Sequence, residues 1–132
     1  AGLEVADRAE FVESDLFSAP FFAEKTGKDT ALYDILISNP PYIRSAEIEE
    51  LMEEVREHDP RLALDGHEDG LYFYRRIISE GKAFLKKDGW MLFEIGYDQG
   101  EDVWKLMRDN GFSDVQIIKD LTGLDRVVAG RR

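Results

Sequence analysis

The sequence predicts an α/β fold, and three observations support this class. Two short apolar runs, Tyr33–Ser38 and Trp90–Gly96, are too short for helices and predict buried strands. Between them, residues 71–85 repeat apolar side chains at helical spacing, which predicts a helix that packs on the core. Strands that alternate with helices in this way are typical of α/β proteins.

The first third of the chain gives weaker signals. Arg8–Ser14 alternates polar and apolar residues and predicts a short strand that ends at Asp15–Phe17, followed by a loop or weak helix at 18–30. After the first buried strand, residues 46–55 place apolar side chains on one helical face, with Ser45 as the predicted N-cap. The acidic outer face of this helix is expected to be solvated.

The last third of the chain predicts a turn, a helix and a hairpin. Asp88–Gly89 predicts the turn that leads into the second buried strand. Gly100–Asn110 is amphipathic, and Gly111 is its predicted C-cap. Val115–Lys119 and Arg126–Ala129 then predict two antiparallel strands.

Composition limits the function classes. The 132 residues fit one domain, and the formal net charge of −11 disfavours binding to phosphate backbones because the chain has no basic run. The chain has no cysteine, which excludes disulfides and thiolate metal sites. It also has no apolar run of membrane-spanning length, so we expect a cytoplasmic protein that does not bind a membrane.

The most informative segment is the tetrapeptide Asn39–Tyr42, Asn-Pro-Pro-Tyr, directly after the first predicted strand. Prolines end a strand, and the residue before a proline takes an extended backbone, so Asn39 is expected at a strand's carboxyl end, where α/β proteins bind ligands. The Asn39 side-chain oxygen and the Pro40 carbonyl are two acceptors suited to a planar amino group, beside the Tyr42 ring. The alternative is a rigid turn with no chemical role.

This tetrapeptide resembles the (D/N)PP(Y/F) motif of S-adenosylmethionine-dependent amino-group methyltransferases. Three further stretches, Val55–Leu71, Phe93–Gln99 and Lys119–Val128, resemble the HemK/PrmC family in order and spacing. That family methylates the glutamine of the GGQ motif in peptide-chain release factors. One departure is Asp59, where the family usually has glutamate before the proline.

The resemblance implies a class I methyltransferase sheet, Rossmann-like, that ends in an antiparallel hairpin. It implies S-adenosylmethionine as cofactor, a release factor as protein partner, and no metal. It assigns catalysis to Asn39 and Pro40, and it assigns the substrate amide to the whole tetrapeptide, Asn39, Pro40, Pro41 and Tyr42. It assigns cofactor contacts to Asp15, Leu16 and Asn39. For Asp15, capping of the following turn is an equal alternative.

Some expected parts of such an enzyme are absent from the sequence. No glycine-rich turn follows a strand and opens a helix, although this turn normally approaches the cofactor. We therefore interpret residues 1–132 as the C-terminal part of a catalytic domain whose sheet lacks its first strands. We expect this part alone to be inactive, to bind the cofactor poorly, and to self-associate through exposed strand edges.

Other polar residues leave alternatives open. His58 and His67 are expected to be loop or surface residues, since their spacing suggests no metal site. Glu94 either orients the Asn-Pro-Pro-Tyr loop or reaches solvent at a strand end. Two rival functions also remain: a nucleic-acid amino-group methyltransferase acting on adenine-N6 or cytosine-N4, and a non-catalytic remnant.

Overall fold

The structure, a computed structural model, describes residues 4–25, 32–48 and 61–132. Within these ranges, the helices are α1 (Pro20–Ala23), α2 (Ser45–Ile48), α3 (Arg61–Leu64), α4 (Tyr72–Gly81) and α5 (Gly100–Asp109). The strands are β1 (Tyr33–Ser38), β2 (Leu85–Glu94), β3 (Ser113–Lys119) and β4 (Asp125–Arg131). None of the described helices is long and apolar enough to cross a membrane.

The strands form one four-stranded sheet in the order β1-β2-β4-β3. β1 and β2 are parallel, whereas β4 is antiparallel to both β2 and β3. The predicted α/β class and terminal hairpin are therefore confirmed. Because Ser38 pairs with Phe93 near the ends of two parallel strands, the segments that follow β1 and β2 leave the sheet at the same edge.

The core lies where α4 and α5 pack against the sheet. Its buried side chains include Tyr74, Ile77, Ile78, Met91, Phe93, Val103, Met107 and Val128. The helix predicted at 71–85 thus faces the core as expected. In β2, burial alternates: Met91 and Phe93 are fully buried, while Leu92 is only partly buried.

The strand predicted at Arg8–Ser14 is wrong. A single 3₁₀ turn covers Ala6–Arg8, and residues 9–14 adopt no regular structure. The Phe11 side chain is 96% exposed. A short strand is stable only beside a partner that satisfies its backbone, and no described segment pairs with this one.

β1 forms an edge of the described sheet, with Ile35 and Ile37 exposed by 60% and 76%. This agrees with the expected apolar edge, and self-association through it stays a prediction.

Several predicted boundaries shift. The helix predicted to end at Leu85 ends at Gly81 and is followed by a 3₁₀ turn, Lys82–Phe84. β2 begins at Leu85, and the predicted Asp88–Gly89 turn is an irregularity inside it, with a positive φ of 68° at Asp88. The chain turns locally there, yet the backbone on both sides still pairs with β1.

The helix predicted at 46–55 is described only at its start. Ser45 is the first residue of α2. Its hydroxyl donates to the Asp65 Oδ1 atom at 2.6 Å and so connects α2 to the loop that follows α3. The rest of the predicted helix and His58 lie outside the described residues, as do residues 26–30 of the predicted 18–30 loop.

The end of α5 confirms the role predicted for Gly111. The Gly111 N–H donates to the Arg108 carbonyl at 3.0 Å, and the Phe112 N–H donates to the Met107 carbonyl at 3.1 Å. With a φ of 82° at Gly111, this is a Schellman motif. The Lys82 ammonium group also donates to the Asn110 carbonyl at 2.6 Å.

We predict that Gly111→Ala lowers the free energy of unfolding by about 1–2 kcal/mol, because a Cβ is strained at positive φ. The added Cβ would also lie 2.8 Å from the Lys82 Nζ atom and displace it. Gly123→Ala is the matched control, since its φ is 87° and no atom of the described residues lies within 4 Å of the added Cβ. Urea unfolding should show the larger loss for Gly111→Ala; an equal or smaller loss would contradict the Lys82 contribution.

Candidate functional site

The Asn39–Tyr42 loop begins where β1 ends, as predicted. Asn39 is exposed, Pro40 is buried, and Pro41 and Tyr42 are partly buried. In the described part of the chain, no residue hydrogen-bonds to the Asn39 carboxamide, whose amide oxygen is therefore available to a ligand.

The buried Gln99 side chain anchors this loop through hydrogen bonds. Its Oε1 atom accepts the Gly96 N–H at 3.0 Å, and its Nε2 atom donates to the Tyr42 carbonyl at 2.9 Å and to the Gly70 carbonyl at 3.3 Å. Gln99 is only 1% exposed, so these bonds replace the water that its amide loses. One amide thus joins the segment after β2, the Asn-Pro-Pro-Tyr loop and the segment before α4.

A short parallel bridge adds a second connection. The Ile43 N–H donates to the Leu64 carbonyl at 3.0 Å, and the Gly66 N–H donates to the Ile43 carbonyl at 2.8 Å. A Cβ on Gly66 would lie 2.8 Å from the Tyr42 Cα atom, so the two segments touch backbone to backbone. Glycine is required there for this close approach.

Asp65 stabilises the neighbouring loop. Its carboxylate accepts the Ser45 hydroxyl at 2.6 Å and the His67 N–H at 2.9 Å, and it pairs with the Arg61 guanidinium at 3.2 Å. The Ser45 hydroxyl bond, followed by the His67 and Arg61 bonds, lowers the pKa of Asp65 despite some burial.

An open cavity of about 980 Å³ lies beside the tetrapeptide. Asp15 and Leu16 line it together with Pro40 and Pro41, although the sequence separates the two pairs. The fold therefore brings the two sets of predicted site residues to one cavity. Asn39 and Tyr42 are not among its lining residues.

Asp15 forms an ion pair that the sequence did not reveal. Its carboxylate lies 3.2 Å from the Arg76 guanidinium, which also pairs with Glu80 at 3.1 Å. The Asp15 side chain remains 72% exposed and accepts no hydrogen bond from the following turn; the Ser14 hydroxyl instead accepts the Ala19 N–H at 3.0 Å. The capping alternative for Asp15 is therefore wrong, and an exposed carboxylate remains at the cavity wall.

An aromatic pair forms another part of the cavity wall. The His67 ring lies 4.1 Å from the Tyr72 ring between centroids, and the His67 backbone has a positive φ of 68°. His67 is exposed and lies in a loop, as predicted. In the described part of the chain, no three histidine or carboxylate side chains come together in a metal-binding arrangement.

Glu94 does not hold the tetrapeptide. Its side chain is partly buried, and its backbone carbonyl accepts the Tyr74 hydroxyl at 2.8 Å. Gln99 fills the role considered for Glu94, because an amide offers both the donors and the acceptor that the surrounding backbone groups need.

A second, smaller cavity of about 190 Å³ lies on the Tyr42 side of the loop. Its walls include Arg44 and Arg126, and both guanidinium groups are ion-paired. Arg44 lies 3.2 Å from Asp98, and Arg126 lies 3.3 Å from Asp120. The tetrapeptide therefore separates two cavities, with its prolines on the larger and its tyrosine on the smaller.

Comparisons with known proteins identify relatives over almost the whole chain. A release factor glutamine methyltransferase from Fusobacterium nucleatum is 42% identical over 130 residues, 98% of this chain and 35% of that protein. A protein of the same name from Clostridium acetobutylicum is 42% identical over 131 residues, 99% of this chain and 44% of its own length. The chain is therefore similar to release factor glutamine methyltransferases over nearly its whole length. The resemblance found in the sequence is thus confirmed.

The chain spans 35% to 44% of the length of these two relatives. A solved protein-(glutamine-N5) methyltransferase (release factor-specific) from Alicyclobacillus acidocaldarius is 30% identical, with a TM-score of 0.49 over 76% of this chain and 49% of that one. No protein-family model matches the chain.

We predict that Gly70→Ala destabilises the loop anchor. A Cβ there would lie 2.5 Å from the Tyr42 carbonyl oxygen and 2.9 Å from the Gln99 Nε2 atom, at a φ of 74°. Strain and overpacking together should lower the free energy of unfolding by about 2–4 kcal/mol. Urea unfolding measures this loss, and Gly111→Ala is the control because its Cβ meets only a flexible lysine end. Equal losses would show that the backbone contact with Tyr42 is unimportant.

Proposed function

We propose that this chain supplies the amide-orienting half of an S-adenosylmethionine-dependent methyltransferase that modifies the glutamine of the GGQ motif in release factors. The observation that carries the proposal is the Asn39 carboxamide at the end of β1, to which no described residue hydrogen-bonds, in a loop that Gln99 anchors. The similarity to release factor glutamine methyltransferases gives the substrate class. Because the relatives extend well beyond this chain, we propose that the activity belongs to a longer, cytoplasmic polypeptide.

The proposed chemistry needs orientation more than acid-base catalysis. The Asn39 Oδ1 atom and the Pro40 carbonyl accept the two N–H groups of the glutamine amide, and the Tyr42 ring packs on the amide plane. Held in this way, the amide nitrogen would be turned toward the methyl group that bound S-adenosylmethionine would supply, and the proton that the nitrogen loses on methylation would pass to solvent. No metal or covalent nucleophile is required.

The larger cavity has groups suited to the methyl donor. S-adenosylmethionine supplies an electrophilic sulfonium methyl group when bound. The exposed Asp15 carboxylate can accept the adenine amino group, and the adjacent Leu16 offers an apolar surface for the ring. Ser38 and Pro40, the neighbours of Asn39 in the chain, both line this cavity, so a donor bound there would lie beside the Asn39 backbone. Further contacts, including those to the ribose, are expected from the rest of the polypeptide.

Ion pairing around the site favours a protein substrate over a nucleic acid. Three arginines line the two cavities in the described part of the chain, and each pairs with a carboxylate, as Arg44–Asp98, Arg76–Asp15 and Arg126–Asp120. Phosphate binding needs unpaired Lys or Arg charges along a track. The net charge of −11 acts in the same direction. A glutamine side chain, by contrast, needs only a narrow opening.

The substrate can be tested directly. The full-length enzyme is incubated with methyl-labelled S-adenosylmethionine and, in parallel, with a release factor, with the same factor carrying alanine in place of the GGQ glutamine, and with duplex DNA. We predict label on the intact release factor alone. Label on DNA, with none on the intact factor, would refute the proposal in favour of a nucleic-acid methyltransferase; no label on any substrate would favour a non-catalytic protein.

We predict that Asn39→Ala in the full-length enzyme lowers kcat by more than tenfold, while the dissociation constant for S-adenosylmethionine changes little. Losing one oriented acceptor should cost about 2–4 kcal/mol of transition-state stabilisation. Asn110→Ala is the control, because its side-chain amide donates to the Leu106 carbonyl at 2.8 Å at the end of α5, away from the tetrapeptide. If Asn39→Ala kept more than a tenth of wild-type kcat, the loss would be below about 1.4 kcal/mol and the role would be wrong.

A further inference from the structure

We propose that Gln99 is a positioning residue for methyl transfer: its side-chain amide fixes the position of the Asn-Pro-Pro-Tyr backbone relative to the segment after β2. This inference rests on the function proposed above, because it assigns a role within that reaction. Gln99 itself need not touch either substrate.

The side chain of Gln99 does not cap the helix that follows it. Gln99 precedes α5 at the N-cap position, and its backbone carbonyl accepts the Val103 N–H at 3.0 Å. Side chains at this position usually accept a hydrogen bond from the first turn of their own helix, yet Gln99 makes no such bond. Its amide is directed instead at Gly96, Tyr42 and Gly70.

All three contacts need the particular chemistry of glutamine. One acceptor meets the Gly96 N–H, and two donor hydrogens meet the Tyr42 and Gly70 carbonyls. Glutamate would keep the acceptor and lose donors, whereas methionine would fill similar space and lose every bond. Since Gln99 is 1% exposed, water cannot readily replace a lost partner.

Two prolines connect this anchor to the proposed catalytic acceptors. Gln99 holds the carbonyl of Tyr42, and Pro40 and Pro41 lie between that carbonyl and Asn39. Each proline ring fixes φ near −65°, so this connection has little torsional freedom to absorb a displacement. A shift of the Tyr42 backbone therefore moves the Pro40 carbonyl and Asn39 with it. Misplacement by about 1 Å can reduce a rate by about 100-fold.

The test uses Gln99→Met and Gln99→Glu in the full-length enzyme, with Trp104→Phe as the control. Trp104 donates from its Nε1 atom to the Val115 carbonyl at 3.0 Å, so this variant also loses a partly buried hydrogen bond, but between α5 and β3. We expect kcat to fall by about 10- to 100-fold in both Gln99 variants, with KM for S-adenosylmethionine within about threefold of wild type. The control should lose stability and keep kcat.

Amide hydrogen exchange provides a readout that does not depend on activity. Gln99→Met should speed exchange at the Gly96 amide, which loses its acceptor, and at the Ile43 amide beside the loop, beyond any global change in stability. Gln99→Glu should keep Gly96 protected and speed exchange at Ile43 only, which makes it informative even if Gln99→Met does not fold. Unchanged Ile43 exchange, or a kcat within threefold of wild type in Gln99→Glu, would overturn the positioning role. If the wild-type enzyme transferred no methyl group to a release factor, the proposed function would fail, and the exchange data alone would still decide whether Gln99 positions the loop.

Discussion

A buried amide must find a partner for each of its polar groups, and this requirement organises the site. Gln99 lies where the segments after β1 and β2 and the segment before α4 converge, and it meets one backbone group from each. Without these bonds, two carbonyls and one N–H would lose partners in a region that excludes water. The convergence itself follows from the parallel pairing of β1 with β2, which places both strand ends at one edge.

At this edge of the sheet, the Asn-Pro-Pro-Tyr loop lies between two cavities that differ in size and charge. On the proline side, a large open cavity contains the exposed Asp15 carboxylate and the His67–Tyr72 pair. On the tyrosine side, a smaller cavity is bordered by paired charges, including Arg44 with Asp98. Pairing removes much of the attraction that these arginines would have for phosphate, while the guanidinium groups still fix the geometry of the loops around Tyr42. Rigid backbone and neutralised charge are together suited to orienting one uncharged amide.

Local patterns predicted the elements whose signals lie within a few neighbouring residues. The β1 run, the core-facing α4 and the glycine end of α5 follow from hydrophobic spacing and backbone preference, and each was confirmed. The strand expected around Phe11 failed because a strand needs a partner that local alternation cannot supply. The Asp15–Arg76 pair joins residues far apart in the chain, so no local pattern could indicate it.

By itself, the sequence determined the tetrapeptide, its place after a strand, and the similarity to release factor glutamine methyltransferases. Prolines and a buried apolar run constrain their own backbone, and family motifs are read residue by residue. Only the tertiary structure decided which residue anchors the loop. The sequence indicated Glu94 as the candidate for this role, whereas the folded chain uses Gln99. Gln99 suits this role because the folded chain places two carbonyls and one N–H around its side chain. An uncharged amide can bond to donors and acceptors together, whereas a carboxylate cannot.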